Sequence, residues 1–386
     1  MRISSEVRSL HEELQSLRRA LHKIPEIGYN ERKTQNFIRS YLLEQLPDSL
    51  ERIADTGIKA VYYAQNPQGT VALRADIDAL AMREMNEGIS FASRHEGFMH
   101  ACGHDGHTSM LLGLSKLLNE HRDTLKYNVV LMFQPAEEGG GGAARMVAEG
   151  VLKNPDVDKV FGFHLWPDVP AGKVGLRVGP MMAQTSEFDI KLTGKSAHGA
   201  APENGIDAIV AAAETIMLLQ TVITRSVGPR KKALITIGKV IGGEMRNVIA
   251  ERVTMSGTIR TFEDSVREFV DQRITEILRG LETANGVHGE YIELMHYPVL
   301  DNPRVLVDEA IAHIGEENIF WVDEIMAAED FSFYQKNAPA LFMLLGIGGQ
   351  DCAHPLHHNC FNFNEEVLMN GVEIYCRLLG LSELRD

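Results

Sequence analysis

The apolar positions of the chain follow two different periods. Short apolar runs rich in β-branched residues, "GTVALRADI", "NVVLMFQPA" and "KVFGFHLW", alternate with segments such as "GHDGHTSMLLGLSKLLNEH" and "AARMVAEGVL", which carry helical patterns. This alternation is typical of βα units that build a largely parallel sheet. Because ligands of such sheets bind beyond the carboxyl ends of the strands, the residues that follow these runs are the first candidates for chemistry.

From about Ala183 the pattern changes to the order β-α-β-β-α-β. Its strands are "QTSEFDIKLTGKS", "KALITIGKVIGG", "ERVTMSGTIRTF" and "HGEYIELMHY", and its helices are "NGIDAIVAAAETIMLLQTVI" and "SVREFVDQRITEILRGLETANG". This order predicts a split-βαβ, ferredoxin-like α+β domain. The chain then returns to strand and helix patterns through "LFMLLGIGG" and "NEEVLMNGVEIYCRLLGL". We therefore predict an α/β protein with a mostly parallel sheet, formed by residues 1–182 and 296–386, and an inserted satellite domain at 183–295.

Length and composition agree with this division. A chain of 386 residues exceeds what one core usually spans, and a net charge of −15 argues against nucleic acid or an anionic membrane surface as a partner. The N-terminal segment has the pattern of an amphipathic helix without the apolar core of a signal peptide, and we expect no membrane span. The cysteines form no Cys-x-x-Cys pair, which favours a reducing, cytoplasmic compartment; they are Cys102, Cys352, Cys360 and Cys376.

Three short motifs are poor matches to known sites. In "HEGFMH" the histidines are one residue too far apart for the helical zinc pair, and "TGKS" at Thr193–Ser196 lacks the first glycine of a phosphate loop. The run Gly139–Gly142 is not followed by Lys-Ser or Lys-Thr, so we interpret it as backbone that passes close to a packed site.

Ligand-type residues follow several of the predicted strands. Cys102 and His104 are two positions apart, so in extended backbone both would project to the same side and reach one ion. Glu137 and Glu138 come directly after "NVVLMFQPA". Consecutive side chains diverge, so one carboxylate could ligate while the other faces a bound water. The alternative for the first pair is a buried thiol beside a hydrogen-bonded histidine.

Two further elements contribute histidines. His164 interrupts an apolar strand, and His357 and His358 lie in "HPLHHNCF" near the end of the chain. His164 alone could equally be a satisfied core histidine, and Cys102 could in principle be a nucleophile. The joint placement of all these residues at the strand ends of one α/β layer favours a metal site over both alternatives.

Six motifs, taken in order, resemble a known family: "MHACGHDGHT", "FQPAEEGGGGA", "GFHLWP", "GKSAHGAAP", "AEDFSFY" and "LHHNCF". They are similar to the aminoacylase/carboxypeptidase superfamily of binuclear metallopeptidases. More narrowly, they resemble its amidohydrolase branch of hippurate hydrolases, auxin-conjugate hydrolases, N-acyl-amino-acid amidohydrolases and N-acetyldiaminopimelate deacetylases. The resemblance runs from "LHKIPEIGYNE" to "NFNEEVL". It implies a di-metal catalytic domain and a satellite domain that mediates dimerisation.

The resemblance also implies roles for individual residues. The metal ligands are expected to be Cys102, His104, Glu138, His164 and His357, with His358 as a competitor for the last position. Glu137 takes the position of the general base, and Asp78 that of the carboxylate that orients a metal-bound histidine, with Asp76 as its alternate. Apart from the resemblance, a histidine ligand needs a partner for its other ring nitrogen, and Asp78 or Asp105 could serve. Imidazole, carboxylate and thiolate together suit two divalent ions of zinc, manganese, cobalt or nickel.

In the satellite domain, the resemblance assigns substrate-side roles. His198 matches a histidine that helps to hold the tetrahedral intermediate, often across a dimer, and Asn247 and Arg260 match positions that hold the substrate carboxylate. His107 and Glu329 are expected to support the site rather than to ligate. The chain departs from the family with Ala81 in place of proline and "NVIAE" in place of "NVIPD".

These expectations combine into one functional hypothesis. We expect a cytoplasmic homodimer, or dimer-based oligomer, that cleaves the amide bond of small N-acyl amino acids with a metal-bound water and Glu137 as general base. A dipeptidase or metallo-carboxypeptidase of the same superfamily is the alternative among enzymes. A non-catalytic ligand-binding protein on the same scaffold is the alternative outside enzymes, and the intact candidate ligands argue against it.

Overall fold

The computed structural model describes residues 1–349 and 354–381, so Cys352 lies outside the described residues. The strands, in chain order, are β1 (Ser49–Ile53), β2 (Gly57–Tyr62), β3 (Thr70–Asp76), β4 (Asn128–Gln134), β5 (Lys159–Pro170), β6 (Val174–Leu176), β7 (Gly179–Met182), β8 (Gln184–Thr193), β9 (Ala233–Gly242), β10 (Arg252–Thr261), β11 (His288–Tyr297), β12 (Leu300–Asn302), β13 (Ile319–Trp321) and β14 (Ala340–Gly348). The helices are α1 (Ser5–Ser9), α2 (His11–His22), α3 (Arg32–Glu44), α4 (His104–Glu120), α5 (Gly142–Ala148), α6 (Ala208–Thr221), α7 (Asp264–Asn285), α8 (Arg304–Ile314), α9 (Ser332–Gln335) and α10 (Val367–Leu378).

The chain divides into two compact units. The first comprises Met1–Gly179, Asp301–Asp323 and Asp330–Asp386, and the second comprises Pro180–Leu300 together with Glu324–Glu329. The short segment Glu324–Glu329, "EIMAAE", has no helix or strand period from which the sequence could have assigned it to the second unit.

The first unit is built on an eight-stranded sheet in the order β1-β2-β4-β3-β5-β14-β6-β13. Its centre is parallel, because β3 pairs in parallel with β4 and β5, and β5 pairs in parallel with β14. Strands β2, β3 and β4 are buried along almost their whole length, as continuous apolar runs covered on both faces should be. Helix α4 packs against β3 as well as against α2 and α10, and near its N-terminus the Thr108 hydroxyl donates to the Asp76 carbonyl at the end of β3 (3.0 Å).

The second unit is a four-stranded antiparallel sheet in the order β11-β8-β10-β9, with α6 and α7 contributing to its core. On β8, Phe188, Ile190 and Leu192 are buried at every second position, and on α7 buried residues recur at helical spacing from Val266 to Leu281. The β-α-β-β-α-β order predicted from sequence is therefore confirmed, and so is the α/β class of the whole chain.

One sequence expectation needs correction. The N-terminal segment forms two helices rather than one, because the Leu10 N–H bonds to the Val7 carbonyl (3.1 Å) in a tighter turn between α1 and α2. Within the described part of the chain, the helical stretch Ala208–Ser226 reaches a mean hydropathy of 1.4, and only 33% of that window is buried. Length and composition alone are weak evidence for a span, but they identify an exposed apolar helix.

Candidate metal centre

Three neighbouring strands of the first unit bring candidate ligands to one edge of the sheet. Strands β3 and β4 end level with each other, with Asp76 paired to Gln134. Asp78 and Glu137 follow a few residues later. Strand β5 runs further, and its pairing with β3 ends at Gly162, so His164 lies past that point and inside β5 rather than at its end. The carboxyl edge of the parallel centre is therefore lined with a histidine and carboxylates, as the sequence indicated.

Cys102 and His104 do not lie in extended backbone, which corrects the geometric premise of the sequence prediction. Gly103 adopts φ +86° as the N-cap of α4, and His104 is the first residue of that helix. A residue with a Cβ would be strained at this φ, and its Cβ would also lie 3.1 Å from the side chain of Leu165. The turn nevertheless brings the pair together, because the donor atoms of Cys102, His104 and His164 all lie within 4.8 Å of one another.

The two glutamates follow a strained turn. Ala136 has φ +52°, a conformation that non-glycine residues rarely adopt. Its N–H donates to Glu31 Oε1 (2.9 Å), and the next-but-one N–H, that of Glu138, donates to Asp78 Oδ2 (3.0 Å). Glu31 is fully buried, and its other oxygen accepts the hydroxyl of Thr56 (2.6 Å). A fully buried glutamate needs hydrogen-bond partners of this kind. Sequence reasoning missed Glu31, because its burial is not visible in the sequence.

The glycine run after these glutamates allows close backbone packing, which confirms its interpretation from sequence. A Cβ at Gly142 would lie 1.7 Å from the carbonyl oxygen of Pro135, and one at Gly140 would lie 2.6 Å from Ala136 Cβ. The N–H groups of both glycines donate to the Ala136 carbonyl, at 3.2 Å from Gly140 and 3.1 Å from Gly142. The run therefore fixes the Ala136 turn from the other side.

Both carboxylates lie close to His104, and one late histidine lies close to Glu138. Donor atoms of His104, Glu137 and Glu138 lie within 4.8 Å of one another, and so do those of Cys102, Glu138 and His357. His357 Nε2 lies 3.1 Å from Glu138 Oε1. His358 instead stacks on His354, with ring centroids 4.3 Å apart. The structure thus brings His357, and not its competitor, to the other candidate ligands.

The hydrogen bonds of the histidines leave the correct nitrogen for an ion. His104 Nδ1 is 3.0 Å from the carbonyl oxygen of Asp78 and 3.2 Å from its Oδ1, and His164 Nδ1 is 2.7 Å from the carbonyl oxygen of Leu165. Each Nδ1 is therefore a proton-bearing donor, which leaves Nε2 as the nitrogen that can face an ion. Within residues 1–349 and 354–381, no hydrogen-bond partner reaches the buried Nε2 of His104. This orphaned atom among carboxylates and a thiol fits a metal site.

The charges of the site also favour a cation. Burial alone would lower the pKa of His104, but the carboxylates of Asp76 and Asp78 raise it to about 10. Burial, together with Glu138 and Glu137, raises the pKa of the Cys102 thiol well above its usual range. Burial lowers the pKa of His164 well below its usual value, so that imidazole is neutral. A bound cation would offset the excess negative charge and ionise the thiol, as metal coordination does.

Several residues near the site differ from the candidate ligands because their polar atoms are already occupied by other protein groups. His107 uses both nitrogens, since Nδ1 lies 2.5 Å from Asp76 Oδ1 and Nε2 accepts the Leu165 N–H at 2.9 Å. Asp76 is further occupied by Arg74 (2.7 Å), so Asp78 is the carboxylate that orients His104. Asp105 was a second possible partner for a ligand histidine. It bonds instead to Arg18 (3.2 Å) and to His22 (2.7 Å), a histidine outside the candidate set.

A second buried network, around Asp330, was also missed by sequence reasoning. Asp330 accepts bonds from Arg74, Gln134 and the Ala143 N–H, at 3.1, 2.8 and 3.0 Å. It belongs to the motif "AEDFSFY", which carried the resemblance but gave no physical role. Its contacts join β3, β4 and the start of α5, the elements that hold the two glutamates in place.

The substrate-side candidates all lie in the second unit, which also contains Glu329. His198 and Asn247 are exposed neighbours, because the Gly199 N–H donates to the Asn247 carbonyl at 2.8 Å and His198 forms a β-bridge with Val248. Arg260 lies elsewhere: it pairs with Thr185, at the end of β10 opposite to Arg252. Eight residues of strand correspond to about 26 Å, so one copy of this unit does not bring Arg260 together with His198 and Asn247.

Fold and donor set together are those of a metal-dependent hydrolase, and comparison with known proteins agrees. The model of peptidase family M20/M25/M40 matches residues 72–380. N-acetyl-L-cysteine deacetylase of Bacillus subtilis (strain 168) is 38% identical, over 94% of this chain and 86% of the relative. N-acetyldiaminopimelate deacetylase of Bacillus velezensis is also 38% identical, over 94% and 96%.

Among solved structures, the YXEP protein of Bacillus subtilis, described as a dinuclear metal binding peptidase of the M20 family, superposes with a TM-score of 0.83. It is 32% identical, and the match covers 97% of this chain and 99% of that one. The chain therefore belongs to peptidase family M20/M25/M40. The resemblance inferred from its motifs is confirmed.

Proposed function

We propose that the protein is a metal-dependent amidohydrolase that hydrolyses the amide bond of N-acyl amino acids. The observation that carries the proposal is the convergence of Glu137, Glu138 and His104 within 4.8 Å, beside the donor atoms of Cys102 and His164. Its relatives support the reaction class, since two of them, at 38% identity, are named as deacetylases of N-acetylated amino acids. Those two have different substrates, so the acyl group and the amino acid must come from experiment.

The metal-holding residues of this proposal are Cys102, His104, Glu138, His164 and His357. Two divalent ions in such a site supply a nucleophilic water at neutral pH and polarise the scissile carbonyl. Glu137 accepts the proton that the attacking water loses and returns it to the leaving amine. Asp78 keeps His104 in the tautomer that presents Nε2. Zinc, manganese, cobalt and nickel all suit these donors.

We further propose that the working form is a homodimer made through the second unit. Strand β9 is an edge of its sheet, and its outer half is exposed. Exposed apolar side chains lie on this strand and on α6: Ile209, Val210, Met217, Leu218, Val240 and Ile241. An unprotected edge beside an apolar helix face is suited to pairing with a second copy. This use also explains why the helical stretch Ala208–Ser226 is apolar without invoking a membrane.

The dimer gives the exposed His198 a role. His198 Nδ1 accepts the Ala200 N–H at 3.0 Å, which leaves Nε2–H as the donor of this exposed side chain. Such a donor can hold the oxyanion of the tetrahedral intermediate. Within one copy of the second unit, His198 and Asn247 lie far from Arg260. We therefore propose that His198 and Asn247 serve the catalytic centre of the partner copy. Arg260, whose guanidinium fork suits a carboxylate, is proposed to bind the carboxylate of the substrate.

The compartment is proposed to be the cytoplasm. The three cysteines that the structure describes, Cys102, Cys360 and Cys376, are all free thiols, which a reducing compartment preserves. Cys102 in particular must stay reduced to bind metal.

One experiment tests the reaction class and the substrate branch together. The metal-stripped protein is reconstituted separately with zinc and with manganese, and the release of free amino acid is measured from N-acetyl, N-benzoyl and N-indoleacetyl amino acids and from dipeptides. We expect cleavage of at least one acylated series only after reconstitution. Cleavage of dipeptides alone would indicate that the protein is a peptidase of the family. No cleavage of any compound in either metal form would contradict the proposal.

A further inference from the structure

A second cluster of metal-type side chains lies on the segment that carries His357. Donor atoms of His354, His358 and Cys360 lie within 4.8 Å of one another, and all three residues are partly exposed. The two imidazoles are stacked, with an interplanar angle of 2°. None of these three residues belongs to the set proposed to hold the catalytic ions. His357, which lies between them in sequence, belongs to that set and contacts Glu138.

The backbone on both sides of Cys360 is anchored, so this end of the cluster is held in place. The Met85 N–H donates to the Asn359 carbonyl (2.8 Å), and Asn86 Nδ2 donates to the Phe361 carbonyl (3.1 Å). The thiol of Cys360 lies 3.6 Å from the Met85 carbonyl oxygen. A site of this kind loses less conformational entropy on binding than three residues on a free loop would.

We propose that His354, His358 and Cys360 form a further metal site, separate from the catalytic centre, that binds a borderline ion such as Zn²⁺. Two imidazoles and a thiolate are ligands that zinc prefers, and an exposed site leaves the fourth tetrahedral position to water. Binding releases the thiol proton of Cys360 to solvent, since the thiolate is the ligand. His358 Nδ1 accepts the Cys360 N–H (3.1 Å), so ligation by this ring exchanges that bond for the bond to the ion.

The position of the site gives it a function. Its ligands flank His357 on both sides, and His357 has φ +61°, which its surroundings must hold in place. An ion bound to His354 and His358 would close the chain around His357 and clamp this residue toward Glu138. The site would therefore couple the availability of zinc to the order of the segment that supplies the last catalytic ligand.

Zinc stoichiometry tests the proposal on the whole protein. Wild type, His354→Ala, Cys360→Ser and the control His313→Ala, an exposed histidine on α8, are dialysed against the same micromolar free zinc. Bound zinc per chain is then measured. We expect His354→Ala and Cys360→Ser each to bind one ion fewer than wild type and His313→Ala. Equal zinc in all four proteins would overturn the proposal. Because the readout is a difference between variants, it stands even if the catalytic ions or the substrate have been misassigned.

Alkylation of the thiol provides a second readout that does not depend on counting ions. Iodoacetamide labelling of the peptide that contains Cys360 is followed by mass spectrometry with and without added zinc. We expect zinc to slow labelling at least tenfold in wild type and in His313→Ala, but not in His354→Ala. Zinc that fails to protect Cys360 in wild type, or protects it equally without His354, would contradict the site.

Discussion

Asp78 and His104 are joined twice: His104 Nδ1 donates to both the backbone carbonyl and the carboxylate of Asp78, at 3.0 and 3.2 Å. The other carboxylate oxygen of Asp78 accepts the Glu138 N–H at 3.0 Å. One side chain thus fixes the tautomer of one candidate ligand and the backbone of another. Three residues that are distant in sequence are thereby held as a single unit.

Asp78→Ala should weaken metal binding by about 10- to 100-fold, the usual effect of losing the partner of a ligating histidine. The measurement is the affinity for zinc in competition with a chromophoric chelator. Asp156→Ala removes an exposed aspartate of the same unit and should leave the affinity unchanged. If both variants bind zinc as wild type does, Asp78 does not orient a ligand.

Glu137→Gln should keep the metal content of wild type and lower the rate of hydrolysis by several orders of magnitude. The amide of glutamine fills the same space but cannot accept the proton of the attacking water, and general-base catalysis is worth about 10²- to 10⁴-fold. Steady-state hydrolysis and metal analysis on the same sample check this. Glu138→Gln should instead lose metal. Near-normal turnover of Glu137→Gln would remove Glu137 from the mechanism.

Cys102→Ser should reduce metal occupancy and, through it, activity. The Cys102 thiol lies 3.3 Å from His164 Nε2, and a serine hydroxyl ionises far less readily as a metal ligand. Occupancy is measured after dialysis at limiting zinc, and added zinc should restore part of the activity. A variant with full occupancy and full activity would show that the thiol is only a neighbour of the site.

Glu31 makes the stability of the metal-free protein depend on pH. Burial raises the pKa of Glu31 from 4.5 to about 7 in the folded state. A carboxyl whose pKa is raised by folding stabilises the protein fully below its unfolded pKa, and that contribution is lost as pH rises from about 4.5 to about 7. The loss amounts to about 3 kcal/mol in the free energy of unfolding.

Glu31→Gln should remove this dependence, because glutamine does not titrate yet can still accept the Ala136 N–H. Denaturant unfolding of both metal-free proteins across this pH range provides the comparison. Wild type should lose stability with rising pH more steeply than Glu31→Gln. Parallel curves would mean that Glu31 does not titrate with a raised pKa.

His198→Ala should lower hydrolysis strongly while leaving metal content and sizing behaviour unchanged. If His198 acts in the partner copy, mixing His198→Ala with Glu137→Gln should restore activity, because a mixed dimer contains one centre with both residues intact. Random exchange of subunits would give about a quarter of wild-type activity, on the arithmetic of a two-fold dimer. No recovery after verified exchange would place His198 at its own centre or outside the reaction.

Much of the architecture could be predicted from the chain because its patterns are local. Buried apolar runs gave the central strands, and alternation at every second position gave the antiparallel sheet of the second unit. The segment Glu324–Glu329 could not be assigned in this way, since its membership depends on contacts with distant residues. The helix at Ala208–Ser226 could be predicted but its exposure could not, because the sequence does not show which apolar faces the neighbouring elements cover.

The candidate ligands could be predicted from residue type and order, but the backbone geometry that brings them together could not. Cys102 and His104 converge through a left-handed glycine and a helix N-terminus rather than along a strand. Glu31 and Asp330 gave no signal, because a buried carboxylate in a support network resembles any surface carboxylate in sequence. Only tertiary contacts distinguish His357 from His358, since adjacent residues of the same type differ solely in the direction that the backbone gives them.

The position of β14 has a consequence for synthesis of the chain. This strand is the last of the large sheet to be made, yet it lies between β5 and β6 near the middle of that sheet. During translation, the whole second unit leaves the ribosome while β5 still has an unpaired edge toward β14. The nascent first unit must therefore stay open, and exposed to aggregation, until residues near the C-terminus emerge. His357 follows β14, so the set of residues proposed to hold metal is complete only after this closure, and on that proposal loading with metal becomes one of the final steps of maturation.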